Sequence, residues 1–313
     1  MSTILVTGAF GQIGSELVPA LQEKYGKDQV IALGHHNIPA DFDGIVEVGE
    51  ILDEPFIRSI IEKHEIDTIY HMVSLLSASG EKDPSFTWKL NAGSLKMILD
   101  IAVERKIRVF WPSSIAAFGP TTPKIMTPQQ TVLEPTTMYG VTKVSGELLC
   151  QYYHLKYGLD VRSVRYPGLI SWKAHPGGGT SDYAVAIFYG AIESGSYDCF
   201  VKDTTSLPMM YMDDAVKATI DLMEADPQKL SIHTSYNLAA ISFTVAELAD
   251  EIRKHMPLEI TYNPDHRQAI ADSWPDSVDD SVARKDWGWQ HAFDLAKMTE
   301  EMIEKLKIKL GKA

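Results

Sequence analysis

Three glycines at intervals of three, Gly8, Gly11 and Gly14, directly follow a short apolar, β-branched run and open a stretch with helical periodicity. A strand that enters a helix through such a turn predicts the first strand–helix unit of an open α/β sheet. Without Cβ atoms the backbone can approach an anion closely, and amides at the helix N-terminus meet its charge. The turn therefore predicts a pyrophosphate site formed by Gly8, Gly11, Gln12, Ile13 and Gly14. A glycine-rich turn that binds nothing is the alternative.

Short apolar runs and longer helical stretches alternate through the first half of the chain. The predicted strands are residues 3–7, 29–33, 68–72, 107–111 and 160–165. The predicted helices between them include residues 84–105 and 137–157. Repeated alternation of this kind predicts an α/β fold of the NAD(P)-binding Rossmann class, a doubly wound parallel sheet with right-handed crossovers.

The alternation ends after Arg165, where prolines and the run Gly177-Gly178-Gly179 interrupt the pattern. Such a break predicts a smaller C-terminal substrate lobe built over the edge of the sheet. We predict two domains with these boundaries: a dinucleotide-binding Rossmann domain at 1–165 plus about 208–240, and a substrate-binding lobe at about 166–207 plus 241–313.

Composition narrows the classes of function. The 313 residues are 45% hydrophobic and carry a formal net charge of −13, without a Lys/Arg cluster, which argues against nucleic acid or an anionic membrane as partner. Cys150 and Cys199 allow at most one disulfide and have no metal-ligand spacing, so we predict packing roles, a reducing compartment and no metal. No apolar run reaches the roughly 20 residues of a membrane span, and no targeting segment is evident, so we expect a soluble cytoplasmic protein with a small-molecule substrate.

Tyr139 and Lys143 stand four residues apart in the segment YGVTK, so both side chains project from one helix face. A nearby ammonium favours the phenolate, which could then take a proton from an alcohol. The spacing alone also occurs by chance on solvated helices. Ser113 and Ser114 end the preceding strand at the carboxyl edge of the sheet, where ligands bind in this fold class. One of these hydroxyls is therefore the predicted substrate anchor.

The end of the second predicted strand bears on the choice of coenzyme. NAD-binding folds usually place a carboxylate there to accept hydrogen bonds from the adenosine ribose. This chain has Gly34 instead, with no arginine for a 2′-phosphate either. His35, His36 or Asn37 could contact the ribose, or have no such role. NAD is the predicted cofactor, and selectivity over NADP stays open at this stage.

Three further parts of the sequence contain polar residues with a predicted role. Leu52 and Asp53 follow the third strand-like run, where this fold class commonly holds the adenine ring, and Asp53 could equally cap the following helix. Asn91 could support the active-site water or backbone network from helix 84–105. Asp213 and Asp214 are predicted to cap the helix that follows them.

Together these motifs resemble the extended short-chain dehydrogenase/reductase superfamily, which includes the UDP-galactose 4-epimerases. The glycine spacing and the YGVTK segment carry this resemblance, whereas RYPGLISW and GGGTSDYA, within residues 165–184, resemble the short-chain type of L-threonine 3-dehydrogenase. Residues 112–123, 208–215 and 267–289 are also similar to it, so the resemblance covers essentially the whole chain.

The resemblance implies a role for each matching residue. Ser114 would be the catalytic hydroxyl, Tyr139 the general base, and Lys143 the residue that binds the nicotinamide ribose and lowers the tyrosine pKa. The cofactor-binding residues would be Gly8, Gly11, Gln12, Ile13, Gly14, Leu52, Asp53, Met72, Asn91, Tyr139, Lys143 and Tyr166. The substrate-binding residues would be Ser74, Leu75, Ser114, Tyr139, Gly179, Thr180 and Trp274. Trp274 could instead be an ordinary core residue.

The resulting hypothesis is NAD-dependent oxidation of L-threonine to L-2-amino-3-oxobutanoate, without a metal, by a homodimer that pairs through helices 84–105 and 137–157. The three glycines could act as a hinge that closes over this substrate. A nucleotide-sugar epimerase or dehydratase on the same scaffold is the alternative, because fold and Tyr/Lys chemistry do not fix the substrate. A third class is an NAD-sensing protein without catalysis.

Overall fold

The computed structural model describes residues 2–36 and 38–312, and its strands and helices are numbered here in chain order. Seven strands of this part form a central parallel sheet: β1 (Ile4–Thr7), β2 (Val30–Gly34), β3 (Ile45–Val48), β4 (Thr68–His71), β5 (Arg108–Ser114), β6 (Val161–Tyr166) and β10 (Tyr236–Asn237). Their spatial order is β10-β6-β5-β4-β1-β2-β3. The direction of winding therefore reverses between β1 and β4, and this switch point is where such sheets bind ligands. The predicted doubly wound parallel sheet is confirmed.

The central strands are apolar because helices cover both faces of the sheet. Successive residues of β1 face opposite sides: Ile4 and Val6 join one core, while Leu5 joins the other. The register places Leu5 beside Ile31 of β2 and Ile69 of β4, so one residue of slip would exchange the two cores.

Twelve α-helices lie in the described residues: α1 (Gly14–Tyr25), α2 (Glu54–Lys63), α3 (Ser77–Gly80), α4 (Pro84–Trp88), α5 (Ser94–Arg105), α6 (Met138–Tyr157), α7 (Tyr183–Ser194), α8 (Met212–Glu224), α9 (Val245–Arg253), α10 (His266–Ala271), α11 (Ser281–Trp287) and α12 (Leu295–Lys309). The helix predicted at 84–105 is interrupted by a π-helical turn, Lys89–Gly93, between α4 and α5. This turn matters for the site because it contains the buried Asn91.

Two small sheets stand outside the central one. They are formed by β7 (Gly168–Ile170), β9 (Ser206–Tyr211) and β11 (Ile241–Thr244), and by β8 (Ser196–Cys199) with β12 (Glu259–Tyr262). Their side chains pack with α7, α9 and α12 into a third core. The two-domain division remains a proposal, and Ala283 and Trp289 from the C-terminal segment pack on the core of the central sheet beside α8.

The prediction that Asp213 and Asp214 cap the next helix is wrong. The strand ends at Tyr211, α8 already begins at Met212, and both aspartates lie in its first turn. The Asp214 carboxylate instead accepts the backbone amides of Ala292 (2.8 Å) and Phe293 (3.1 Å), which are distant in sequence. A local pattern could not reveal this tether.

Cys150 and Cys199 are free and buried, as their predicted packing roles require. Among residues 2–36 and 38–312, none of the helices combines the length and apolar character needed to cross a lipid bilayer.

Candidate active site

Strand β5 and helix α6 bring the three predicted catalytic side chains together. β5 continues to Ser114, three residues beyond its predicted end, and pairs there with Tyr166 of β6. Helix α6 begins directly beside it, where the Thr137 hydroxyl accepts the amide of Gly140 (3.1 Å) and caps the helix. Tyr139 and Lys143 therefore project from the first two turns toward the end of β5.

Tyr139 is buried beside Ser114. Burial raises the pKa of Tyr139 to about 12, because a phenolate loses hydration there, and a hydrogen bond with Ser114 acts in the opposite direction. Burial is the largest influence on the pKa of Tyr139, and the lowering of this pKa by Lys143 stays a prediction.

Lys143 is also buried, and its ammonium contacts a backbone carbonyl of β5. Its Nζ donates to the Pro112 carbonyl (2.6 Å) and lies 5.3 Å from the centroid of the Tyr139 ring. Burial lowers the pKa of Lys143 to about 7, while the carboxylate of Glu147 raises it. Glu147 is held in place by Arg165, whose guanidinium donates to it at 2.7 and 2.9 Å. The buried ion pair thus lies one helical turn behind the lysine.

The glycine turn has the form that a pyrophosphate requires. A Cβ on Gly14 would lie 2.3 Å from the Gly8 carbonyl oxygen, so only glycine fits there, and Gly8 has a positive φ of 67°. Among the described residues, the backbone amides of Gln12, Ile13 and Gly14 have no acceptor at the start of α1. Three free amides at a helix N-terminus, lining a cleft, fit a bound phosphate group.

One cleft joins this turn to the catalytic side chains. Most of the predicted site residues line it: Gly8, Gly11, Gln12, Ile13, Gly14, Met72, Ser74, Ser114, Tyr139, Lys143, Tyr166, Gly179, Thr180 and Trp274. The hydroxyl of Tyr166 pairs with Thr219 in the core. Trp274 is both buried in the core of the smaller sheets and exposed to the cleft, so its two predicted roles coincide.

Four predicted residues lie outside the lining of this cleft: Leu52, Asp53, Leu75 and Asn91. Asp53 accepts the amide of Phe56 (3.1 Å) and caps α2, which confirms its structural interpretation. Asn91 accepts the amide of Leu75 (2.9 Å) and donates to Thr142 Oγ1 (3.2 Å) on α6. The amide of Asn91 therefore connects the loop after β4 to the catalytic helix, so its position in the structure is a supporting one.

The glycine-rich segment is anchored at both ends. At its end, the Asp182 carboxylate accepts the amides of Gly178 and Gly179, each at 2.8 Å. Ahead of it, Ser171 donates to the buried Glu16 on α1, and Lys173 lies 3.3 Å from the same carboxylate. Glu16 follows the glycine turn, so helix α1 both begins at this turn and holds the chain ahead of the glycine-rich segment.

Sequence reasoning missed several residues that line the cleft, namely Ser77, Ile115, Gly168, Leu169 and Asp182. Ser77 is 3.3 Å from the hydroxyl of the predicted Thr180, although the two are far apart in sequence. Burial raises the carboxyl pKa of Asp182, and the amides of the glycine segment act against this. A carboxylate three residues after a glycine run is a typical acceptor for its amides, and this signal could have identified Asp182.

The position where NAD-binding folds usually have a carboxylate is occupied by Gly34, the buried last residue of β2. The exposed His35 pairs with Glu50, and its ring lies 3.5 Å from that of His36. Asn37, the third residue predicted there, lies outside the described residues.

The fold and the site together define a dinucleotide-binding enzyme of the short-chain type. The chain belongs to the NAD dependent epimerase/dehydratase family, whose sequence pattern matches residues 4–239.

Particular relatives refine this assignment. An uncharacterized epimerase/dehydratase of Staphylococcus haemolyticus is 49% identical over 99% of both chains. The holo form of a GalE-like L-threonine dehydrogenase from Cupriavidus necator is 52% identical, with a TM-score of 0.95 over 97% of this chain and 100% of that one. A monomeric L-threonine 3-dehydrogenase from a metagenome is 50% identical, with a TM-score of 0.96 over 98% and 99%.

Proposed function

We propose that this chain oxidises the β-hydroxyl of L-threonine, with NAD as acceptor, to L-2-amino-3-oxobutanoate. The observation that carries the proposal is that Ser114, Tyr139 and Lys143 line one cleft, which continues to the free amides of the glycine turn. Similarity over nearly the full length to L-threonine dehydrogenases supports the choice of substrate.

In the proposed mechanism, each catalytic side chain has one task. Ser114 orients the substrate hydroxyl, and Tyr139 as phenolate takes its proton. Lys143 holds the nicotinamide ribose and stabilises the phenolate. NAD, when bound, supplies the acceptor for the hydride that leaves the substrate Cβ. The alcohol therefore loses one proton and one hydride, and a ketone remains.

The amides of Gln12, Ile13 and Gly14 would hold the coenzyme pyrophosphate, and Met72 and Tyr166 would border the coenzyme farther along the cleft. Ser74, Gly179, Thr180 and Trp274 would surround the substrate. Leu75, Asn91, Leu52 and Asp53 are proposed to act from outside the cleft lining, by shaping the loops after β4 and β3.

The alternative is a nucleotide-sugar epimerase or dehydratase, which the family includes by name. Such substrates carry a diphosphate, and proteins usually meet phosphate with arginine or lysine. Among the described residues that line the cleft, Lys143 is the only lysine or arginine, and it is assigned to the coenzyme. The scarcity of basic side chains in the cleft therefore favours a small substrate over a nucleotide-sugar with its diphosphate.

One set of assays separates the possible functions. Purified protein with NAD and L-threonine is expected to form NADH, measured by its absorbance, whereas UDP-galactose is expected to stay unchanged. Conversion of the UDP-sugar without oxidation of threonine would establish the alternative. Coenzyme binding without turnover of either compound would leave the NAD-sensing class.

A further inference from the structure

The end of β2 differs from the usual NAD site in one residue. A carboxylate commonly stands at this position, where it hydrogen-bonds the adenosine ribose and repels the 2′-phosphate of NADP. Here Gly34 ends the strand. The sequence shows only that the carboxylate is missing, whereas the structure shows why it cannot be added.

Phe10 fills the space that a side chain at position 34 would need. A Cβ on Gly34 would lie 2.6 Å from two ring carbons of Phe10 and 3.1 Å from Ile38. Contacts below 3.0 Å require something to move. The Phe10 ring is itself packed edge-on against Phe42, with centroids 5.1 Å apart and an angle of 88°. An aspartate at position 34 would therefore have to displace a packed aromatic ring.

The charged side chains near the end of β2 do not take over the role of the missing carboxylate. Glu50 is near the strand end, since the amide of the preceding Gly49 donates to the Gly34 carbonyl (3.0 Å), but its carboxylate pairs with His35. His35 and His36 are exposed imidazoles without the fork of donors with which arginine grips a phosphate. Among the described residues 34–36, which end β2 and follow it, there is thus neither a carboxylate against a 2′-phosphate nor an arginine or lysine for it.

We infer that Phe10 and Gly34 together set the coenzyme selectivity of this chain, so that NAD and NADP bind with similar affinity. The inference rests on the coenzyme part of the proposed function. Without the carboxylate, NAD loses a ribose contact and NADP loses its repulsion, and both changes reduce the difference between the two coenzymes.

The difference in affinity between the two coenzymes can be measured by binding alone, without turnover. Titration of the wild-type protein with NADH and with NADPH, followed by nicotinamide fluorescence, is expected to give dissociation constants within about tenfold of each other, a difference of about 1.4 kcal/mol or less. A value for NADPH more than about a hundredfold weaker than for NADH would overturn the inference.

Four variants test the roles of the two residues. Gly34→Asp is expected to weaken both coenzymes, because Phe10 blocks the new side chain. Phe10→Ala/Gly34→Asp provides space and is expected to retain NADH while weakening NADPH by about tenfold or more relative to wild type. Phe10→Ala/Gly34→Asn is the uncharged control of similar size, and Phe10→Ala alone measures the loss of the ring. Phe10→Ala/Gly34→Asn and Phe10→Ala are both expected to keep the wild-type ratio of NADH affinity to NADPH affinity.

The outcomes distinguish this inference from the proposed function. If Gly34→Asp discriminates between the coenzymes as strongly as the double variant, Phe10 is not a determinant and the inference fails. If the aspartate and asparagine double variants have the same ratio, charge at position 34 is not a determinant and the inference fails. If neither coenzyme binds the wild type, the inference fails together with the NAD assignment. Failure of L-threonine oxidation alone leaves the binding ratios valid.

Discussion

At the scale of single residues, the same burial moves the two titratable groups of the site in opposite directions. The pKa of Tyr139 rises to about 12 and that of Lys143 falls to about 7, because an apolar environment disfavours both charged forms. The protein part of the site thus holds a neutral phenol beside a lysine that is easily deprotonated.

Replacement of Tyr139 by phenylalanine tests its role as base. Tyr139→Phe keeps the ring and its packing but removes the proton acceptor, so threonine oxidation is expected to fall by at least about a hundredfold. Coenzyme affinity, measured by NADH fluorescence, is expected to stay within about threefold.

Tyr157→Phe is the matched control, because this tyrosine ends the same helix and is half-exposed. It is expected to keep wild-type turnover. Substantial activity of Tyr139→Phe would remove Tyr139 from the mechanism.

At the scale of elements, small irregularities position the catalytic groups. The π-helical turn Lys89–Gly93 directs Asn91 toward Leu75 and Thr142, and so connects the loop after β4 to α6. The sequence predicted one continuous helix at 84–105. A π-helical turn adds a single residue to a helix and has no signal of its own in the pattern of apolar residues.

The side chain of His71 connects strand β4 to strand β1 and helix α5. At the end of β4, its ring lies 2.8 Å from the Thr7 hydroxyl of β1 and 3.0 Å from the Ser94 hydroxyl of α5. Burial, together with the charge of Lys143, lowers the pKa of His71 to about 3. The histidine is therefore neutral in the folded protein over most of the acidic range.

The pH dependence of stability tests this assignment. Because the unfolded chain protonates His71 near pH 6.5 and the folded protein only near pH 3, the free energy of unfolding is expected to decrease as pH falls through this window. One such group contributes at most about 1.4 kcal/mol per pH unit. His71→Gln is expected to reduce this slope, measured by urea unfolding between about pH 7 and 4.

The exposed His36 offers a comparison at the surface, and His36→Gln is expected to leave the slope as in wild type. An unchanged slope in His71→Gln would show that His71 is protonated equally in the folded and unfolded states.

At the scale of the whole molecule, α6 buries its catalytic face and exposes an apolar one. Val141, Leu148, Tyr152 and Leu155 are 40%, 62%, 51% and 74% exposed. Their successive spacings of seven, four and three residues place them on one stripe of the helix. An apolar stripe of this kind is typical of a protein–protein contact.

We expect a homodimer that pairs through this stripe, with a mass twice the 34.8 kDa of the chain. Light scattering after size-exclusion chromatography measures this directly. Leu148→Lys/Leu155→Lys is expected to give a monomer, and Lys217→Ala, a change at an exposed lysine of α8, is the surface control.

A relative 50% identical to this chain is described as monomeric, so the fold does not need the contact. A wild-type protein that elutes as a monomer over the micromolar range would contradict the prediction.

The sequence by itself determined the features that depend on near neighbours along the chain. The turn Gly8 to Gly14, the strand–helix alternation and the spacing of Tyr139 and Lys143 are local patterns, so the sheet and most of the residues that line the cleft could be predicted. Helix and strand ends were displaced by a few residues, because tertiary hydrogen bonds extend or stop them.

Only the tertiary structure decided what distant residues do to one another. Burial raises the pKa of Tyr139, an effect that the helix spacing could not predict, and Asp214 tethers Ala292 where a cap was predicted. Phe10 occupies the space beside Gly34, although one lies in the first turn and the other ends the second strand. Desolvation and steric contact depend on which atoms surround a group in space, and that surrounding is set by the packing of the whole chain.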